Sequence, residues 1–175
     1  MGSSGEQAGT PGSESDRRWH AWAWFAFPAR ERCLFTGEYH HAIDGKGRVA
    51  VPARFRAELE GGAFVSRWID GCVAIFPREA WDQLAGRVAS LPVSDAGART
   101  FGRFVFSGAF EVELDSQGRA RVPASLRQFA ALDNEAVVVG MRDHLELWEP
   151  VRWAEYSAQM SSPEVLSAHL QGLGI

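Results

Sequence analysis

Apolar residues from Phe35 onward follow two spacings, and each spacing names a kind of element. Phe35, Tyr39 and Ile43 lie an even number of residues apart and so share one face of a strand. Val49 and Val51 do the same in a second strand that begins at Arg48. Pro52 pre-sets a helical turn, which predicts a helix over Ala53–Leu59 that Glu60-Gly61-Gly62 ends. Ala63–Val65 and Cys72–Phe76 read as strands around a turn at Asp70-Gly71. After Pro77 the spacing becomes helical, with Trp81, Leu84, Val88 and Leu91 on one stripe.

The series then runs a second time. Phe104–Leu114 predicts a strand region with Val112 and Leu114 on one face, Arg119–Val122 a short strand, and Pro123–Ala130 a helix. Ala136–Val139 and Leu145–Trp148 predict a strand pair around Arg142-Asp143. Pro92–Arg103 reads as the connector, with Ser94 as the candidate cap of a short helix, and a last helix is expected after Ser162-Pro163.

Underneath lies a literal repeat. The run from Asp44 through Gly47, Arg48, Val51, Pro52 and Ala53 to Arg56 returns as Asp115, Gly118, Arg119, Val122, Pro123, Ala124 and Arg127, at an offset of 71. Phe35-Thr36-Gly37 matches Phe106-Ser107-Gly108 at the same offset, and nine of 22 aligned positions are identical. Composition alone would give roughly one or two such matches, so the chain reads as two copies of one small unit. The expected organisation is an extension over 1–32, a first repeat over 33–92, a connector over 93–105, a second repeat over 106–161 and a C-terminal helix or tail over 162–175.

Charge changes this picture. The formal net charge is −4, so any basic surface must be local. Residues 44–56 carry four cations against Asp44, a net of +3, and residues 115–127 carry three against Asp115, a net of +2. The two motifs are basic islands in an acidic protein. Cys33 and Cys72 are too few for a disulfide framework or a zinc site, and a reduced, cytoplasmic setting is expected. No run of about 20 apolar residues is present to span a membrane. Residues 1–16 are rich in Gly, Ser and Glu and predict disorder. Arg17-Arg18 precede a short aromatic stretch ending at Pro28, an order shared with twin-arginine export signals. That stretch is too short and lacks a small-residue cleavage site, so export is not expected. The folded part is expected to begin near Cys33–Phe35, with 1–32 either a disordered, non-essential extension or a mis-assigned one, in which case translation would start at Leu34.

Catalytic chemistry finds no foothold. The chain has no G-x-S-x-G, H-E-x-x-H or phosphate-binding G-x-x-x-x-G-K-[ST] motif, and no metal or cofactor is expected. His40 and His41 are adjacent on a strand and face opposite sides, so they cannot chelate together. Trp81, Leu84, Val88, Trp148 and Trp153 are read as core or subunit interface. Asp44 and Asp115 suit their turns, with Gly47 and Gly118 supplying the turn geometry. For Arg48 and Arg119 two readings stand. Each arginine can pin its turn by pairing with the aspartate four residues earlier. With Lys46, Arg54, Arg56, Arg121 and Arg127 nearby, they can also form a cationic edge for DNA, since a β-ribbon fits the major groove.

The doubled D-x-x-G-R-x-x-V-P-A pattern, each copy preceded by F-x-G, resembles the MraZ family of bacterial transcriptional regulators. The half-motif resembles AbrB-type swapped-hairpin DNA-binding domains. The resemblance runs from about Phe35 to Tyr156. It implies a β-rich α+β fold, a pseudo-dimer of two AbrB-like swapped-hairpin halves with flanking helices, assembled into ring-like homo-oligomers. It also implies a cytoplasmic, nucleoid-associated repressor of the division and cell-wall gene cluster, including its own gene. Such a regulator binds double-stranded DNA at tandem promoter repeats and takes no small-molecule substrate. The DNA-contacting arginine of the family falls on Arg48 and its repeat partner on Arg119; Lys46, Arg54 and Arg121 complete the expected DNA-binding set. Gln117 stands where Lys46 would repeat, so the copies are expected to contribute unequally. The alternative is a non-enzymatic scaffold or interaction module whose Asp/Arg turns are purely structural.

Overall fold

The computed structural model describes residues 35–171. The first copy contains β1 (Glu38–Ala42), β2 (Arg48–Ala50), a 3-10 turn (Ala53–Phe55) running into α1 (Arg56–Leu59), β3 (Ala63–Arg67), β4 (Val73–Pro77) and α2 (Arg78–Ser90). A helix, α3 (Ala96–Phe106), leads into the second copy. That copy comprises β5 (Phe110–Val112), β6 (Arg119–Arg121), α4 (Ala124–Phe129), β7 (Glu135–Gly140), β8 (Leu145–Trp148) and α5 (Pro150–Met160), followed by α6 (Pro163–Gln171). The chain is a mixed α+β protein.

The copies are interleaved rather than set side by side. Six strands form one sheet in the order β1-β7-β8-β4-β3-β5, and β2 pairs with β6 in a separate ribbon. Strand β1 therefore pairs with β7 of the other copy, and β5 pairs with β3 of the first. The sheet centre pairs Ala74 with Glu146, and the ribbon centre pairs Val49 with Ala120. Both pairs join positions that correspond between the repeats, at offsets of 72 and 71. A local twofold axis thus relates the copies and passes through both centres.

Strand alternation divides the sheet into two buried faces. Val73, Ile75, Ala136, Val138, Leu145 and Leu147 point to one side and pack with Val49, Val51, Phe55, Ala120, Val122 and Leu126, so the ribbon and its short helices close that face. Phe55 is fully buried, with Phe35 and Tyr39 edge-on to its ring at 5.1 and 5.7 Å. On the other side, Val137, Val139 and Trp148 meet Trp153 of α5, while Ala74 and Phe76 meet Trp81 of α2 and Val105 of α3. Trp81, Val88, Trp148 and Trp153 are buried, as their apolar spacing implied.

Three local expectations need correction. The segment 104–114 is not one strand, because α3 extends to Phe106 and only Phe110–Val112 is β. Phe101, Phe104 and Val105 stand at i, i+3 and i+4, and packing of that stripe against the Trp81 cluster favours helix over the strand reading. The connector is therefore a helix, and its cap is Asp95, whose Oδ1 accepts from the Ala98 N–H at 2.7 Å, instead of Ser94. Finally, the phenylalanines of the F-x-G pair have different environments: Phe35 is buried, but Phe106 ends α3 and is 42% exposed. The readings made for 1–32, Cys33 and Leu34 lie outside the described residues.

Candidate nucleic-acid interface

Each end of the ribbon begins with an aspartate. Asp44 Oδ1 accepts the backbone N–H groups of Lys46 and Arg48 at 2.9 and 3.0 Å, and its carbonyl accepts from Gly47 N–H at 2.8 Å. Asp115 does the same for Gln117 (2.9 Å), Arg119 (3.1 Å) and Gly118 (2.8 Å). A short acceptor three residues upstream of a glycine is the local chemistry of such a turn. Gly47 and Gly118 both have φ +73°, which disfavours any side chain. A Cβ at Gly47 would also lie 2.7 Å from Arg127 Nε and 3.0 Å from the Val122 carbonyl, and one at Gly118 would strike the Arg56 side chain.

The second carboxylate oxygen of each aspartate holds arginine. Arg48 reaches Asp44 Oδ2 through Nε (2.8 Å) and Nη2 (2.7 Å), and reaches Asp115 Oδ2 through Nη1 at 3.2 Å. Arg119 repeats the two contacts on Asp115 at 2.8 and 2.7 Å and lies 3.5 Å from Asp44 through Nη1. The result is a four-residue cluster built across the twofold axis. Hydrogen bonding from Arg48 holds the Asp44 carboxyl down at about 2, and Arg119 does the same for Asp115. Both arginines keep about a quarter of their side-chain surface exposed, at 27% and 24%.

Register decides which other side chains join them. Arg48 lies opposite Arg121, Val49 opposite Ala120 and Ala50 opposite Arg119. Val49 and Ala120 point into the core, so Arg48, Ala50, Arg119 and Arg121 share the outer face of the ribbon. Lys46, at the tip of the first turn, is exposed. The ribbon thus brings together four of the five cations expected to contact DNA. Arg54 stands apart: it donates to the Tyr39 hydroxyl and to Thr36 Oγ1, both at 3.1 Å, and lies over the Phe55 ring. Two further arginines support the turns from beneath. Arg56 lies under the Gly118 turn, donating from Nε to the Val51 carbonyl at 2.9 Å, and Arg127 lies under the Gly47 turn. Their identity in both copies was the sequence signal for that role. Among the described residues no cluster of His, Cys, Asp and Glu could hold a metal ion, and no helix is long and apolar enough to cross a membrane.

Comparison with known proteins bears on this geometry. The family described as "MraZ protein, putative antitoxin-like" matches twice, over residues 34–104 and 105–171. A protein of Halothermothrix orenii named transcriptional regulator MraZ is 43% identical over 144 residues, covering 81% of this chain and all of that protein. Its namesake in Moorella thermoacetica is 47% identical over 128 residues, 73% of this chain and 90% of that one. One in Desulfitobacterium hafniense is 45% identical over 143 residues, 81% of this chain and all of that protein. With both halves matched and relatives this similar along nearly their whole length, the chain belongs to the MraZ family.

Proposed function

We propose that this protein is a sequence-specific DNA-binding transcriptional regulator, a repressor of the division and cell-wall gene cluster that includes its own gene. One observation carries the reading. The outer face of a two-stranded ribbon, the element of a width to enter a major groove, holds Arg48, Arg119 and Arg121 and is flanked by Lys46. The crossed pairing of β1 with β7 and β5 with β3 supports an AbrB-like swapped-hairpin pseudo-dimer. In this reading the protein acts in the cytoplasm on the nucleoid, as a ring of identical subunits on tandem promoter repeats. Several ribbons on consecutive repeats raise avidity by orders of magnitude without a new contact, which is how a chain of net charge −4 can bind DNA. No catalytic step enters this mechanism.

The scaffold reading draws on a different observation: Arg48 and Arg119 are already bonded to Asp44 and Asp115. Titrating a labelled duplex of the gene's own upstream region separates the two. The regulator reading expects a retarded complex whose affinity falls steeply with salt, and about tenfold weaker binding by Arg48→Ala with its melting transition retained. Absence of any complex with that duplex at low salt leaves the scaffold.

A further inference from the structure

The twofold axis makes the two ends of the ribbon geometrically equivalent, but their side chains are not. Antiparallel register carries the end of β6 to the turn of the first copy: Arg121 faces Arg48, and Val122 N–H donates to the Gly47 carbonyl at 2.8 Å. The opposite end is built the same way, with Ala50 facing Arg119 and Val51 N–H donating to the Gly118 carbonyl at 3.0 Å. One end therefore gathers Lys46, Arg48 and Arg121 against Asp44, a formal +2. The other gathers Gln117, Ala50 and Arg119 against Asp115, a formal charge of zero. Arg56 and Arg127 lie under opposite turns and add equally to both. Arg54, the remaining cation of the first motif, is held by Thr36 and Tyr39.

Lys46 and Arg121 also differ from the other cations in availability. Arg48 and Arg119 are bonded to carboxylates, whereas the side chains of Lys46 and Arg121 are exposed and carry no ion pair among the described residues. Like charges directly opposite on a strand pair are unfavourable, so Arg121 facing Arg48 does nothing for the fold. An anion between them removes that repulsion.

We infer that Lys46 of the first copy and Arg121 of the second form one composite subsite for the DNA phosphodiester backbone, while the Gln117–Ala50 end contributes little. The inference rests on the DNA-binding reading and gives it a direction. Two equal ends would favour an inverted repeat, whereas one dominant end sets each subunit on DNA with a single polarity, as tandem repeats require.

The test is salt-dependent anisotropy with two labelled duplexes, the gene's own upstream region and a scrambled duplex of equal length. Arg121→Ala is expected to weaken binding to both about five- to tenfold and to lower the salt slope by about one. Arg121→Lys keeps the charge and is expected to bind within about twofold of wild type. The exchange Lys46→Gln/Gln117→Lys leaves net charge unchanged but splits the pair, and is expected to bind as weakly as Lys46→Gln alone. The melting midpoint of Arg121→Ala is expected at or above that of wild type, which separates a lost contact from lost fold. Unchanged affinity of Arg121→Ala overturns the inference, as does wild-type affinity of the exchange variant. A loss confined to the upstream duplex assigns Arg121 to a base and overturns the phosphate contact. Failure of the wild type to bind either duplex overturns the DNA reading itself.

Discussion

Adding one methyl group within one turn is predicted to have opposite effects at two glycines. Gly45 and Gly47 lie two residues apart in the first turn, and Gly118 is the counterpart of Gly47. At Gly118 the backbone has φ +73°, and an L residue there loses about 1–2 kcal/mol to left-handed strain. Its Cβ would displace the Arg56 side chain, whose Nε bonds the Val51 carbonyl at 2.9 Å, and losing that bond removes about 1 kcal/mol more. Alanine also stiffens the unfolded chain, which offsets about 0.4–1 kcal/mol. Gly118→Ala is therefore expected to destabilise by about 1–2.6 kcal/mol. Gly47→Ala should behave alike, since its Cβ would meet the Val122 backbone carbonyl at 3.0 Å and Arg127 Nε at 2.7 Å. At Gly45 no positive φ is required and nothing lies within 4 Å of a built Cβ. There only the unfolded-state effect remains, and Gly45→Ala should stabilise by about 0.4–1 kcal/mol. Urea denaturation of the three variants reads the difference, and with slopes of about 1–3 kcal/mol/M the midpoints should move in opposite directions by an easily measured amount. A Gly118→Ala midpoint equal to that of Gly45→Ala would refute both the strain and the packing argument.

Two further outcomes follow from the environments of titratable groups. Asp44 and Asp115 are held at about 2 by Arg48 and Arg119, below their ordinary 3.8. A depressed carboxyl contributes its stability fully above the ordinary value and loses it as pH falls through the folded value, so the turn clusters should weaken between about pH 4 and pH 2. Carboxyl-carbon NMR should show both aspartates titrating near 2, and a midpoint near 3.8 at either would mean that its arginine is not bonded in solution. Cys72 is buried, and its burial, with Glu146 and Asp70 nearby, pushes the thiol well above its usual range. In a Cys33→Ser background Cys72 is expected to react with a thiol reagent only at the rate of unfolding; prompt labelling of the folded protein at pH 8 would contradict this environment.

The turns were legible in the sequence because their determinants are local. Asp at the start, Gly three residues on and Arg after it fix hydrogen bonds within five residues, and those bonds form in both copies. What was not legible is long-range partnership. Alternation at Tyr39 and Ile43 marks a strand face but says nothing of whether β1 pairs with its own copy or, as it does, with β7. The Phe104–Phe106 run fits a strand or a helix equally well by length, and the decision came from packing with the Trp81 cluster on the same face of the sheet. The position of Arg121 beside the first turn depends on register between β2 and β6, which no local pattern encodes.

Interleaving also explains why duplication within one chain differs in consequence from dimerisation of a single unit. A lone first repeat would lack partners for both β1 and β2, since β7 and β6 come from the second copy. Pairing with an identical copy would restore the strands, but both ribbon ends would then hold Lys46, Arg48 and Ala50 against Asp44, a formal +1 at each. The fused chain holds +2 at one end and zero at the other, the same total redistributed. Unlike pairing of identical copies, covalent linkage lets corresponding positions diverge, as Ala50 and Arg121 or Lys46 and Gln117 have, while the residues that close the turns stay identical. The retained Asp, Gly and Arg keep the two ends alike in backbone, and the divergent positions give the ribbon its direction.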